Sequence, residues 1–200
     1  MENTNTTDLI IHKLLERVRV VTLGGIAVIS HGLSRNTHDI VIGTWESVAL
    51  GELESVIARD WVVRVAGLDP PLDIFRNPNE LDIAEFDNVW DRATPLVDGT
   101  RLPDLIDILM TKQDTGRDKD LQDIAFLEAK AEREYLRTLP DADAAQAAWM
   151  LERFLTPRVA ETALNHPAEV VRSLADLYLN EMADEGNPFA RDILIKRKLA

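Results

Sequence analysis

The chain has no cysteine in its 200 residues, which removes disulfides, thiolate metal sites and cysteine nucleophiles together. It also has no uninterrupted apolar run near the roughly 18 residues that a membrane-spanning helix requires. The opening Met-Glu-Asn-Thr-Asn-Thr-Thr has neither the basic nor the apolar region of a signal peptide, so the cytoplasm is the expected compartment. Basic residues are scarce, with 22 Lys and Arg against 35 Asp and Glu and a formal charge of -13. A sequence-independent grip on nucleic acid needs clustered cations to displace counterions, so extensive nucleic-acid binding is not expected. The acidic surplus suits solubility and contact with a basic protein partner equally. His12, His31, His38 and His166 show no metal-ligand spacing, and no serine stands in a nucleophile-elbow context.

What the chain does have is apolar material, 46% of its residues, enough for a real core. Asp8 to Arg17 reads as a short amphipathic helix, and Val18 to Leu23 as a strand running into Gly24-Gly25. Ile26 to His31 reads as one or two helical turns. Asp39-Ile-Val-Ile is the next strand, Glu46 to Arg59 a helix, and Trp61 to Ala66 a third strand. After the Asp69-Pro70-Pro71 turn, Leu72-Asp73-Ile74-Phe75 is a fourth apolar segment with a carboxylate inside it. A helix is expected over Phe86 to Ala93, then an Asp-Gly hairpin between Pro95 and Pro103, with the sheet ending near residue 102.

From Pro103 onward the pattern is helical, with Asp118 as a candidate N-cap for a helix to about Arg137. Further helices are expected over Ala144 to Leu155, Pro157 to Leu164, Pro167 to Asp184 and Pro188 to Lys198. The expected fold class is α/β (α+β), a mixed β-sheet flanked by helices with an all-helical C-terminal region. The expected domains are residues 1–139 and 140–200.

Candidate chemistry concentrates in two places. Asp39 and Asp73 each open or interrupt an apolar run, where a charge needs a partner or an ion. The plainer alternative is a pair of strand-end carboxylates facing solvent. Lys112, Arg117 and Lys119 form the densest basic cluster in an acidic region and suit a phosphate. Lys112 also suits a solvated helix C-terminus. For Asp120 and Asp123 the structural reading is preferred, ion pairs at helical spacing that lock a helix start. His31, followed by Gly32, reads as a packed or capping residue, and Trp90 as core or interface.

The stretch Gly24-Gly25-Ile-Ala-Val-Ile-Ser-His31-Gly32-Leu-Ser-Arg35-Asn-Thr37-His-Asp39-Ile resembles the opening of the nucleotidyltransferase superfamily, in particular the proteins related to AbiEii-type toxins. Glu85-Phe-Asp-Asn-Val-Trp90-Asp-Arg-Ala resembles their connector. Leu105-Ile-Asp-Ile-Leu-Met-Thr-Lys112-Gln-Asp-Thr-Gly116-Arg117-Asp-Lys119-Asp120-Leu-Gln-Asp123 resembles their later helix pair. The three matches run in order across roughly residues 20 to 130.

The resemblance implies a nucleoside triphosphate with Mg2+ and transfer of a nucleoside monophosphate to a hydroxyl of RNA, protein or a small molecule. It places Gly24 and Gly25 on the nucleotide, Asp39 and Asp73 on metal, and Lys112 on phosphate charge. Beside the resemblance, Arg117 and Lys119 of the basic cluster are candidates for the same phosphates, with Lys119 alternatively an ion-pair partner at the helix start, and Arg35 and Thr37, just before Asp39, reach either a phosphate or a neighbouring loop. The superfamily strand carries Asp-x-Asp, and here Val41 stands at the second position. An apolar side chain supplies no ligand to a two-metal site. The alternative is therefore a degenerate relative that keeps the fold as a binding or regulatory module, with a toxin-antitoxin or defence setting implied by the resemblance alone.

Overall fold

The computed structural model describes residues 6–44, 56–58, 62–65, 67–76, 83–112 and 118–199. The chain divides into two compact units, Met1–Leu127 and Glu128–Ala200. The first is built on a mixed sheet and the second is helical, as the apolar patterning predicts.

The first unit begins with α1 (Thr6–Leu15), followed by β1 (Val21–Leu23), α2 (Gly24–Ser30) and β2 (Ile40–Thr44). β3 (Val56–Ala58), β4 (Val62–Val65) and β5 (Leu72–Arg76) follow, then α3 (Ile83–Arg92), the short β6 (Thr94–Pro95) and β7 (Arg101–Leu102). α4 (Leu105–Met110) and the start of α5 (Asp118–Thr138) complete it. Among the described residues the sheet has seven strands in the order β3-β4-β5-β2-β1-β7-β6. β2 runs parallel to β5 and antiparallel to β1, while β4 runs antiparallel to β5.

Strand alternation gives the sheet two different faces. Ile42, Ile74 and Val63 are register partners across β2, β5 and β4, as are Ile40, Leu72 and Val65. These side chains pack with Ile10, Ile11 and Leu14 of α1 and with Val18 and Val20 into one apolar cluster. The next row along, Val41, Asp73 and Arg64, consists of residues one position out of phase, so it belongs to the opposite face.

The expected hairpin is present. Gly99 takes a positive φ of 87°. Asp98 Oδ1 accepts from the Thr100 amide at 2.9 Å and from its hydroxyl at 2.7 Å. The buried Thr100 hydroxyl also lies 2.8 Å from that of Thr22, joining the turn to β1.

Two expectations need correction. Val56–Ala58 is a strand paired antiparallel with β4, where a helix over Glu46 to Arg59 was expected; the rest of that segment lies outside the described residues. Three consecutive residues Val-Ile-Ala suit a half-buried pleat as well as a helix, and pairing with Val62–Val65 decides the matter. Asp118 is the first residue of α5 and not the residue before it.

The second unit is built from the rest of α5 with α6 (Ala144–Arg153), α7 (Pro157–Ala163), α8 (Glu169–Asp184) and α9 (Pro188–Leu199). Polar caps fix the helix starts. Asp143 accepts from the Gln146 amide at 2.8 Å, Thr156 from the Val159 amide at 3.2 Å, and Asn187 from the Phe189 amide at 3.0 Å. On α8, Val171, Ala175, Leu179 and Ala183 recur every fourth residue and form its buried stripe. His166 is buried, its Nε2 lies 2.9 Å from the Ala142 carbonyl and its Nδ1 accepts from the Ala168 amide at 3.1 Å. That acceptor role at Nδ1 assigns the proton to Nε2.

Candidate functional site

The first group of candidate residues lies on the sheet face opposite the apolar cluster. Val41 on β2 is the register partner of Asp73 on β5, and Asp73 is in turn the partner of Arg64 on β4. Residues paired this way project on the same side, so Val41, Asp73 and Arg64 stand in one row across three strands. Leu23 on β1 continues the row beside Val41. Asp39 precedes β2 by one residue and is half-buried, and its Oδ1 accepts from the Thr37 hydroxyl at 2.8 Å.

Asp73 is buried between Leu72 and Ile74 in β5, and its charge is met by Arg64. The guanidinium donates through Nε to Oδ1 at 2.7 Å and through Nη2 to Oδ2 at 2.6 Å. Two parallel charge-assisted bonds of this length fix both the position and the plane of the carboxylate. The Arg64 pKa is raised above its ordinary value, first by the hydrogen bonds to Asp73 and then by its charge; the charge of Asp39 adds to the effect. Arg64 is therefore bonded to Asp73 on both carboxylate oxygens.

Gly24 and Gly25 open α2 directly after β1, where glycine is expected to let backbone approach a phosphate. The room they leave is used by the chain itself. Gly24 has φ of 62°, and a Cβ there would stand 2.6 Å from Val41 Cγ2 and 2.7 Å from Val41 Cβ. A Cβ on Gly25 would run into the Thr37 side chain and stand 2.9 Å from Arg35 Nη2. The glycine pair thus seats Val41, Thr37 and Arg35 against the start of α2.

The second group is a buried ion network. Lys112 Nζ donates to Asp120 Oδ1 at 2.9 Å and to Asp123 Oδ2 at 2.6 Å. Arg35 Nη2 donates to the same Asp123 oxygen at 2.8 Å. Lys112, Asp120 and Asp123 have side-chain exposures of 6%, 1% and 0%, so the ammonium is enclosed by its two carboxylates. The expectation that Asp120 and Asp123 lock the start of a helix holds in part: they sit in the first turns of α5, but the described cation is Lys112 after α4. The side chain of Lys119 and the whole of Arg117 lie outside the described residues.

The loop between α2 and β2 joins the two groups. Arg35 ties it to Asp123, Thr37 ties it to Asp39, and both lean on Gly25. His31 caps α2 and its Nε2 lies 3.0 Å from the Pro103 carbonyl, in keeping with a capping role. Trp90 is half-buried with Arg101 stacked 4.5 Å from its ring centre, a packed position rather than an open stacking platform.

These donors do not fit a two-metal centre as arranged. Such a centre shares carboxylates between ions, and here the middle position is Val41 while both oxygens of Asp73 are held by Arg64. Among the described residues no group of three or more His, Asp or Glu side chains is placed to hold a metal ion.

The residue that sequence reasoning missed is Arg64. Its signal was a cation in the β-branched run Val62-Val63-Arg64-Val65, the same kind of interruption that singled out Asp73, but its meaning depends on the strand register.

No family model matches the chain, and no curated protein sequence matches it. Among solved structures, JHP933 from Helicobacter pylori is similar over 90% of this chain and 95% of its own, at 16% identity and a TM-score of 0.38. A candidate nucleotidyltransferase from H. pylori is similar over 100% of this chain and 99% of its own, at 15% identity and a TM-score of 0.38. At that identity and TM-score the likeness assigns neither family nor activity. Among the described residues no helix is long and apolar enough to cross a membrane.

Proposed function

We propose that the first unit is a nucleotidyltransferase-like domain that works by binding and not by two-metal nucleotidyl transfer. The observation that carries this reading is the row Val41–Asp73–Arg64, in which one metal position is apolar and the other carboxylate is already neutralised. A nucleotide is the ligand the resemblance implies, and its binding here is independent of Mg2+. The protein-partner role in a toxin-antitoxin or defence setting belongs to the same reading.

The rival is an active transferase with Asp39 and Asp73 on metal and Lys112 on phosphate. It is disfavoured by the enclosure of Lys112 between Asp120 and Asp123, which leaves its ammonium facing carboxylates. Calorimetric titration with each of the four nucleoside triphosphates, in Mg2+ and in EDTA, separates the two. The proposal expects the same affinity in both buffers and no pyrophosphate release. Magnesium-dependent release that Asp73→Asn abolishes would overturn it, and the absence of any binding would remove the nucleotide from the proposal.

A further inference from the structure

A carboxylate buried in a sheet must be neutralised by a proton, an ion or a neighbouring cation. For Asp73 the neighbour is on the adjacent strand, directly opposite in the register, and it spends two donors on the two carboxylate oxygens. Asp39 stands directly before β2, two residues ahead of Val41, and its charge acts on Arg64 in the same direction as that of Asp73, to a smaller extent. Val41, between Leu23 and Asp73 in the row, adds none and packs against Gly24. The cluster Asp39, Asp73 and Arg64 therefore sums to one negative charge, where two carboxylates alone would give two.

We propose that Arg64 is the resident counter-ion of this face, doing for Asp39 and Asp73 what a divalent cation does in a metal-dependent site, and that its guanidinium excludes such a cation. Removing the guanidinium uncovers a divalent-cation site on Asp39 and Asp73, and Val41→Asp then adds a third ligand. This inference rests on the reading of the domain as one without two-metal chemistry, and it names the residue that makes it so. Exposed arginines often pair with acids to little effect. Arg64 differs from them because its partner is buried and both carboxylate oxygens are engaged, although its own side chain is 54% exposed.

The test is titration of the full chain with Mn2+ followed by electron paramagnetic resonance, on wild type, Arg64→Gln and Arg64→Gln/Val41→Asp. Wild type is expected to bind weakly, Arg64→Gln on the order of tenfold more tightly, and the double variant more tightly again. Asp73→Asn in the Arg64→Gln background is expected to abolish the gain. Mn2+ is also expected to raise the melting temperature of Arg64→Gln and to leave that of wild type unchanged.

Equal titration of wild type and Arg64→Gln would overturn the proposal, as would a gain that survives Asp73→Asn. Should Arg64→Gln not fold, wild type alone decides: sub-millimolar Mn2+ binding lost in Asp73→Asn overturns the proposal, and weak binding unaffected by Asp73→Asn supports it. Failure of the binding-module reading shows itself separately, as magnesium-dependent pyrophosphate release. A chain that binds no nucleotide leaves the Mn2+ comparison intact.

Discussion

Lys112 donates to Asp123 at 2.6 Å with both side chains closed to solvent, and the same carboxylate oxygen receives Arg35 from the loop that leads to Asp39. One buried carboxylate thus ties the end of α4, the start of α5 and the candidate site loop together. Lys112→Met removes a cation that two enclosed carboxylates depend on, and a loss of about 3–5 kcal/mol is expected. Urea denaturation measures it. A loss below about 1 kcal/mol would mean that Asp120 and Asp123 reach water in solution.

Gly24 and Val41 form a packing pair. Gly24→Ala places a Cβ in a left-handed conformation and against Val41, and is expected to destabilise by about 1–3 kcal/mol. Val41→Gly in the same chain removes both the Cγ2 and the Cβ that the new Cβ would meet, so the two losses should couple by more than about 0.5 kcal/mol in a double-mutant cycle. Additive losses in a denaturation cycle would contradict the contact.

In the helical unit His166 uses both ring nitrogens on backbone groups, accepting at Nδ1 from Ala168 and donating from Nε2 to Ala142. His166→Ala leaves the part-buried Ala168 amide and Ala142 carbonyl without the ring and is expected to cost about 1–3 kcal/mol. His166→Gln, which can replace one of the two bonds, should fall between Ala and wild type. Thermal denaturation of the three proteins gives the order, and a neutral His166→Ala would refute the role.

The Arg64–Asp73 pair sets an expectation for alkaline pH. A guanidinium whose pKa is higher folded than unfolded contributes stability that is fully present below the unfolded value and is lost only as pH rises through the folded one. Both lie above the range in which proteins are ordinarily studied. The stability difference between wild type and Arg64→Gln should therefore be flat from neutral to mildly alkaline pH, and a slope there would assign the titration to another group.

Much of this fold was legible in the sequence because its signals were local. The apolar runs read over Val18 to Leu23, Asp39 to Ile42, Trp61 to Ala66 and Leu72 to Phe75 coincide with β1, β2, β4 and β5, and the Pro and Asp punctuation after residue 140 marked the helices that follow. Val56–Ala58 was not legible, since an edge strand of three residues is decided by its partner. At the site, Asp39 and Asp73 stood out as charges in apolar runs. The meaning of Arg64 did not, because a register that sets residue 64 opposite residue 73 is a property of pairing, and no spacing along one strand encodes it. The enclosure of Lys112 between Asp120 and Asp123 was illegible for a related reason: whether a lysine near a helix end meets water, a phosphate or a carboxylate depends on the helix that covers it.

A cation carried on a side chain has no dissociation constant. The counter-charge at Asp73 is made when the chain is translated, is present once in every folded molecule, and cannot be withdrawn by chelation, exchanged for a competing metal or rationed by the ionic state of the cell. Whatever this face recognises, its charge is fixed by inheritance rather than by supply.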